Sequence, residues 1–296
     1  MSKSLFYQKK LARNIYNNFF TLLSTLFAIV AVAPLILVLV YVLIKGGSQI
    51  NLDILLLEPQ PPGDDLSSAG GIGNAIVGTF IITSIASIIS IPIGVGGGIY
   101  LAEYAKEGAF SKFIRFGTNV LSGVPSIIAG VFIYAVIVVT KIIFGSMFSG
   151  IAGGMALSIL MLPTVIKTTD EGLKLVSDDL RKAALGVGAS MFTTIIRITL
   201  PNAFRSIATG VVLGLARAAG ETAPLIFTAL FSYYHITGIQ DLFLEMGSLS
   251  VLIYNFALEP YKAQNELAWA ASFILIILLL AMNLLSKWIS NIATDK

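Results

Sequence analysis

The 296-residue sequence contains no cysteine. Disulfides, thiol catalysis and cysteine-based metal sites are therefore excluded. The single histidine, His235, cannot build a histidine cluster and reads as an ordinary loop residue. Charge is scarce too: Asp, Glu, Lys and Arg make up 12% of the chain, against roughly 25% in a soluble domain. A net charge of only +3 gives nucleic acid no electrostatic foothold. No GxxxxGK[ST] phosphate loop occurs, so the chain lacks the usual means of hydrolysing ATP. No internal repeat is visible, which weakens the reading as an inverted-repeat secondary transporter.

What the sequence does have is apolar length. It is 56% hydrophobic with a mean hydropathy of +0.88. A spanning helix needs about 20 mostly apolar residues. Six segments qualify, at 19–44, 72–101, 117–140, 147–166, 203–231 and 268–290. This predicts an all-α polytopic membrane protein in contact with membrane lipid. The segments divide it into an N-terminal stretch 1–18, a first span 19–44, a core 72–290 and a tail 291–296. The first run, Phe19 to Ile44, is 26 residues, beyond the roughly 7–15 of a signal peptide's apolar region, so it reads as a retained anchor. A further apolar run, Leu249 to Leu258, is too short to span and reads as an interfacial or lid helix outside the membrane.

Lys and Arg fix the expected orientation. With the N-terminus inside, the inside set is Lys3, Lys9, Lys10, Arg13, Lys106, Lys112, Arg115, Lys167, Lys174, Arg181, Lys182, Arg197, Arg205, Lys287 and Lys296. Only Lys45, Lys141 and Lys262 fall outside, and Arg217 lies within a span. The bias predicts two cytoplasmic termini and an even number of spans. Two outside loops are long, 45–71 and 232–267. The first carries the stiff polar run Glu58-Pro59-Gln60-Pro61-Pro62-Gly63-Asp64-Asp65. They read either as solvated loops or as a docking surface for an extracytoplasmic partner.

The longest inside loop, from about Lys167 to Asn202, has the pattern of a helix, a turn and a helix. Asp178 and Asp179 suit a helix N-terminus. Leu180, Ala183, Ala184 and Val187 fall on one face, narrow enough for another surface to come close. Gly186 and Gly188 end the helix. Ser190 can cap the next one, and Pro201 is expected to stop it and push Leu200 out of the helical region.

The fifth run contains Arg217-Ala218-Ala219-Gly220-Glu221-Thr222-Ala223-Pro224-Leu225. Arg217 and Glu221, four apart, share a helical face. Each ion costs about 2.5–3.5 kcal/mol in a span, so such residues face the bundle interior or a water-filled path. Counted from Arg205 at about 1.5 Å per residue, Arg217 lies roughly 18 Å into the membrane. Pro224 deprives the Gly220 carbonyl of its helical donor, so a bend or unwound turn is expected at Gly220 and Pro224. A guanidinium at such a bend suits an oxyanion, which it binds bidentately. The plainer reading is a self-neutralising pair that holds the helix in the bundle.

Two resemblances follow from these residues. Ala183-Ala184, Gly188, Ile198, Leu200 and Pro201 resemble the EAA loop of binding-protein-dependent ABC importer permeases, with Lys182 where that family often has Glu. The fifth-run signature, continued by Phe227-Thr228-Ala229-Leu230, resembles PstA-type phosphate permeases. The resemblance implies the type I importer (MetI-like) permease fold in a bacterial inner membrane. It implies that the 178–201 loop couples to the ATPase, through Leu180, Lys182, Ala183, Ala184, Gly188, Ile198, Leu200 and Pro201. It also places Arg217, Glu221 and Thr222 on the phosphate path. The chain itself then binds no cofactor and catalyses no covalent chemistry. A PstC-type permease, a PstB-type ATPase dimer that uses ATP and Mg, and a PstS-type phosphate-binding protein are the implied partners. The same machine for molybdate, tungstate or phosphonate is the nearest alternative, and an ion-driven secondary transporter or a membrane scaffold the more distant ones.

Overall fold

A backbone inside hydrocarbon must satisfy its own hydrogen bonds, so apolar runs of this length form helices. The computed structural model describes residues 10–62, 69–105, 108–141 and 148–292. Residues 1–9 of the N-terminal stretch, Gly63, Asp64 and Asp65 of the polar run, Lys106, the start of the fourth run at 147, and Ala293 to Lys296 of the tail lie outside the described residues.

The elements run α1 Lys10–Gly47, α2 Leu52–Leu56, α3 Gly73–Ile99 and α4 Ala109–Gly123. They continue with α5 Ser126–Ile133, α6 Gly150–Lys174, α7 Asp178–Gly186 and α8 Met191–Thr194. Last come α9 Leu200–Gly220, α10 Ala223–Ile226, α11 Leu249–Ala257 and α12 Lys262–Ile292. Wider π-helical turns extend α3 through Tyr100–Tyr104, extend α5 through Tyr134–Val138, and join α8 to α9 through Ile195–Thr199. Among the described residues, five continuous helices are long and apolar enough to cross a membrane, and a bent pair brings the number to six if it is one span.

The centre is α3 against α6 against α9. Ile82 and Ala86 of α3, Leu157 and Met161 of α6, and Ala218 of α9 pack in one buried cluster. The outer helix α12 packs on α9, α11 and α1. Most of α1 is exposed, as a helix facing lipid would be. Its contact with α12 includes Tyr41 edge-on to Trp269, with ring centres 5.0 Å apart.

The structure corrects three expectations. The third span is not one helix over 117–140. It is α4 followed, after a 103° bend, by Ser126–Val138. The cause is local: Val124 precedes Pro125, so its helical conformation is disfavoured, and it sits extended at φ −73°, ψ 131°. The fifth span does not run through 203–231 either, since α9 ends at Gly220. Pro201 does not stop a helix: Leu200 is helical at φ −62°, ψ −47°, and the chain is helical from Met191 to Gly220. A π turn runs into Pro201, with the Leu200 N–H reaching back five residues to the Ile195 carbonyl. The short run read as an interfacial or lid helix forms α11. Its Leu249, Leu252 and Phe256 are fully buried, in a cluster with Ile72, Ala75 and Leu267.

The two long loops are joined to each other. The His235 backbone N–H donates to Glu58 Oε1 at 2.5 Å, and its ring Nε2 lies 3.0 Å from the Leu56 carbonyl. Asn74 Nδ2 donates to the Ser232 carbonyl at 2.6 Å. Asp241 organises the turn beyond. Its carboxylate accepts from the Thr237 N–H at 2.7 Å, the Gly238 N–H at 3.0 Å and the Thr237 hydroxyl at 3.0 Å. These bonds hold the Asp241 pKa below the ordinary aspartate range. The turn therefore keeps their contribution above that range and loses it as pH falls through the lowered value.

Candidate functional sites at the elbow and at the Arg217–Glu221 segment

The elbow between α6 and α9 is built from its caps inward. The Ser177 hydroxyl accepts from the Asp179 N–H at 3.2 Å, opening α7 with two acids in its first turn. At the other end, Gly188 takes φ +88°. The Ala189 N–H then reaches the Ala184 carbonyl at 3.0 Å, and the Gly188 N–H the Leu185 carbonyl at 3.0 Å. This paired closure is the Schellman stop, and it explains why a glycine stands four residues after Ala184. Ser190 opens α8, its hydroxyl accepting from the Thr193 N–H at 3.1 Å.

The expected docking face is divided. Leu180, Lys182, Ala183, Gly188 and Pro201 are exposed, and Ile198 and Leu200 are half-buried. Ala184 is only 5% exposed. Its small side chain sits on the inner side of the elbow, where α7 packs on α8 and the following π turn. The outward apolar surface is instead Leu180, Leu185, Phe192 and Val187, the last 87% exposed. A side chain forced into the left-handed region costs about 1–2 kcal/mol. Gly188→Ala is therefore expected to loosen the elbow and speed amide exchange at Ala189 roughly tenfold. An unchanged exchange rate would show that the stop does not hold the helix.

Sequence reasoning missed the charges that hold this elbow. Arg181 Nη2 meets Glu103 Oε1 at 2.8 Å, with side chains only 11% and 1% exposed. The same guanidinium donates to the Leu173 carbonyl at 2.7 Å and the Val176 carbonyl at 2.6 Å. It therefore ties α7 to the ends of α3 and α6. Beside it, Asp170 accepts from Arg115 at 3.0 Å and Lys174 at 2.7 Å, joining α4 to α6. The available signal was an acid at the end of an apolar run, Glu103 after Leu101-Ala102, which demands a cation wherever it is buried.

At the second site the helix unwinds. Glu221 leaves α9 at φ −75°, ψ 131°, and α10 restarts at Ala223 with Pro224 in its first turn, where no N–H is needed. The freed Glu221 carbonyl accepts from the Ser250 hydroxyl of α11 at 2.9 Å. A Cβ on Gly130 of α5 would lie 2.5 Å from Pro224 Cα, so α5 packs backbone to backbone on this break. Arg217 and Glu221 are paired loosely, Nε to Oε1 at 3.4 Å, with side chains 49% and 18% exposed. Gly220 and Thr222 flank the pair. A half-uncovered arginine in a span is not left to hydrocarbon, so this face of α9 meets water or another subunit. The elbow and the pair stand at opposite ends of one helix, Met191–Gly220.

Long crossing helices around a broken span, with a capped elbow at one end, define a polytopic membrane permease. The chain belongs to the family of binding-protein-dependent transport system inner membrane components, matched over residues 94–293. It is 36% identical to the phosphate transport system permease protein PstA of Pasteurella multocida over 93% of this chain and 94% of that one. It is likewise 36% identical to the Haemophilus influenzae PstA over 93% and 94%, and 36% identical to PstA 1 of Mycobacterium tuberculosis over 77% and 72%. The PstA-type resemblance read from the fifth run is borne out by these relatives. In fold it is similar to a chain of a bacterial alginate ABC transporter, with TM-score 0.66 at 16% identity over 95% of this chain and 97% of that one. It is also similar to a chain of the MetNI methionine ABC transporter, with TM-score 0.57 at 17% identity over 75% and 94%. The expected six-span importer fold stands, with its third span bent.

Proposed function

We propose that this chain is the transmembrane permease subunit of an ATP-driven phosphate importer, supplying half of the path and linking it to a separate ATPase. The observation that carries this reading is Arg217, half uncovered on the free face of α9 beside an unwound turn. The names of the relatives support phosphate as the anion. A guanidinium offers planar, bidentate donors to phosphate oxygens, and Glu221 at 3.4 Å neutralises it between anions. The loose pair opens more readily than a tight bidentate one. Thr222, in the unwound turn, stands next to the pair.

The rest of the assembly follows from the same reading. A PstC-type subunit completes the path, and a PstB-type ATPase dimer binds ATP and Mg and docks on the elbow through Leu180, Lys182 and Val187. A PstS-type protein delivers phosphate to the joined outer loops. The elbow, both termini and most Lys and Arg then lie in the cytoplasm. This chain holds no cofactor.

The test is reconstitution of the complex in vesicles, with hydrolysis and uptake followed as the binding protein is loaded with phosphate, molybdate, tungstate or a phosphonate. Stimulation by phosphate together with ATP-dependent uptake is the expected result. Preference for another anion would overturn the substrate. Transport by this chain alone would overturn the assignment to an ATP-driven machine.

A further inference from the structure

The face that carries Arg217 continues toward the elbow. Asn202, Arg205, Thr209, Leu213 and Arg217 are all exposed, at steps of three or four residues along one unbroken helix. The half nearest the elbow lines a groove of about 630 Å³ between α6, α7 and α9. Arg205, Ser206, Thr209, Asn202 and Thr168 give it polar walls, and Leu213 closes its inner end. No acid lines it. Arg115, Arg181 and Arg217 each have a carboxylate partner, whereas Arg205 forms no ion pair among the described residues. The Thr209 hydroxyl is committed to the Arg205 carbonyl at 2.8 Å and the Thr168 hydroxyl to the Thr164 carbonyl at 2.9 Å. The donors left in the groove are the Arg205 guanidinium, the Ser206 and Ser177 hydroxyls and the second amide hydrogen of Asn202, and Arg205 is the cation among them.

We propose that Arg205 and Ser206 form a second oxyanion site, a phosphate-group station at the cytosolic mouth of the path. The proposal rests on the reading of Arg217 as the first station. Twelve residues separate the two arginines, about 18 Å along the helix axis, with the apolar Leu213 between them. Passage through a path requires binding that is favourable on entry yet divided among sites weak enough to leave. A cation without a carboxylate, among hydroxyls, meets that requirement on the exit side. The same chemistry would also accept the phosphate of a lipid headgroup, so the test separates the two sources.

The complete importer is reconstituted with Arg205→Gln, Arg205→Lys or Arg217→Gln, in vesicles of phosphatidylcholine alone and with added phosphatidylglycerol. Loss of one charge-assisted contact predicts that Arg205→Gln lowers maximal uptake about tenfold. Half-saturation for phosphate-loaded binding protein should stay unchanged, retention of the ATPase should be normal, and Arg205→Lys should recover part of the rate. The same loss in both vesicle types assigns the site to transported phosphate. A loss confined to the anionic vesicles assigns it to a lipid headgroup. Full activity of Arg205→Gln in both, with Arg217→Gln defective, overturns the second site and leaves the first intact. Full activity of Arg217→Gln overturns the path reading itself.

Discussion

Arg217→Gln, in the assembled importer, should lower phosphate uptake about 10- to 100-fold while leaving the protein folded and its ATPase attached. The prediction follows from placement. Arg217 lies in the last turn of α9, half exposed, and its partner Glu221 has already left the helix. A residue of that kind contributes little to packing, because the small neighbours Ala218 and Ala219 are the buried ones. Removing the guanidinium deletes the donors that replace an anion's water, without opening a cavity. Glu221→Gln should have the milder effect, because it leaves the cation in place and removes only its competitor. Uptake measured in vesicles decides the matter. Full activity of Arg217→Gln would reduce the pair to a structural tie, and a variant that no longer assembles would show that the pair holds the bundle.

Arg181→Ala should uncouple the machine. Its removal strands the Glu103 carboxylate at 1% exposure and frees the carbonyls of Leu173 and Val176. Breaking a buried pair from one side costs about 3–5 kcal/mol, enough to detach α7 from the helices it is tied to. The expected result is continued hydrolysis with fewer phosphates moved per ATP. Glu103→Gln combined with Arg181→Gln leaves no lone buried charge and should restore part of both stability and coupling. A double-mutant cycle on the phosphate-to-ATP ratio measures this. Additive losses would show that the two side chains act independently.

The sequence made the long helices legible because lipid imposes one requirement on every spanning segment, and runs such as Phe19 to Ile44 meet it conspicuously. The elbow was legible from its punctuation: Asp178 and Asp179, Gly188 and Ser190 mark where its helices open and close, although the cap at Ser177 was not read. The bend at Val124-Pro125 was not read, although the same rule about residues before proline was applied at Leu200. There the rule failed: Leu200 stays helical inside a π turn that runs into the proline. A local rule does not reveal whether neighbouring carbonyls find other partners. The ties between Glu103 and Arg181, and between Arg115 and Asp170, were invisible for a different reason. Glu103, Arg115 and Asp170 stand beside three different apolar runs and Arg181 in the elbow, and only the packing of α3, α4, α6 and α7 brings them together. Ala184 pointed the wrong way because a helical wheel gives relative directions and leaves open which side the fold covers.

The unbroken helix from Met191 to Gly220, 30 residues long, has a mechanical consequence. It is a stiff rod of roughly 40–45 Å with the elbow at one tip and Arg217 near the other. Tilting such a rod by only about 5° about its elbow end would swing the far tip by nearly 4 Å, about the width of a phosphate. On the proposed reading of the two sites, a small rocking motion at the elbow is magnified beside Arg217, with no need for any helix to melt along the way.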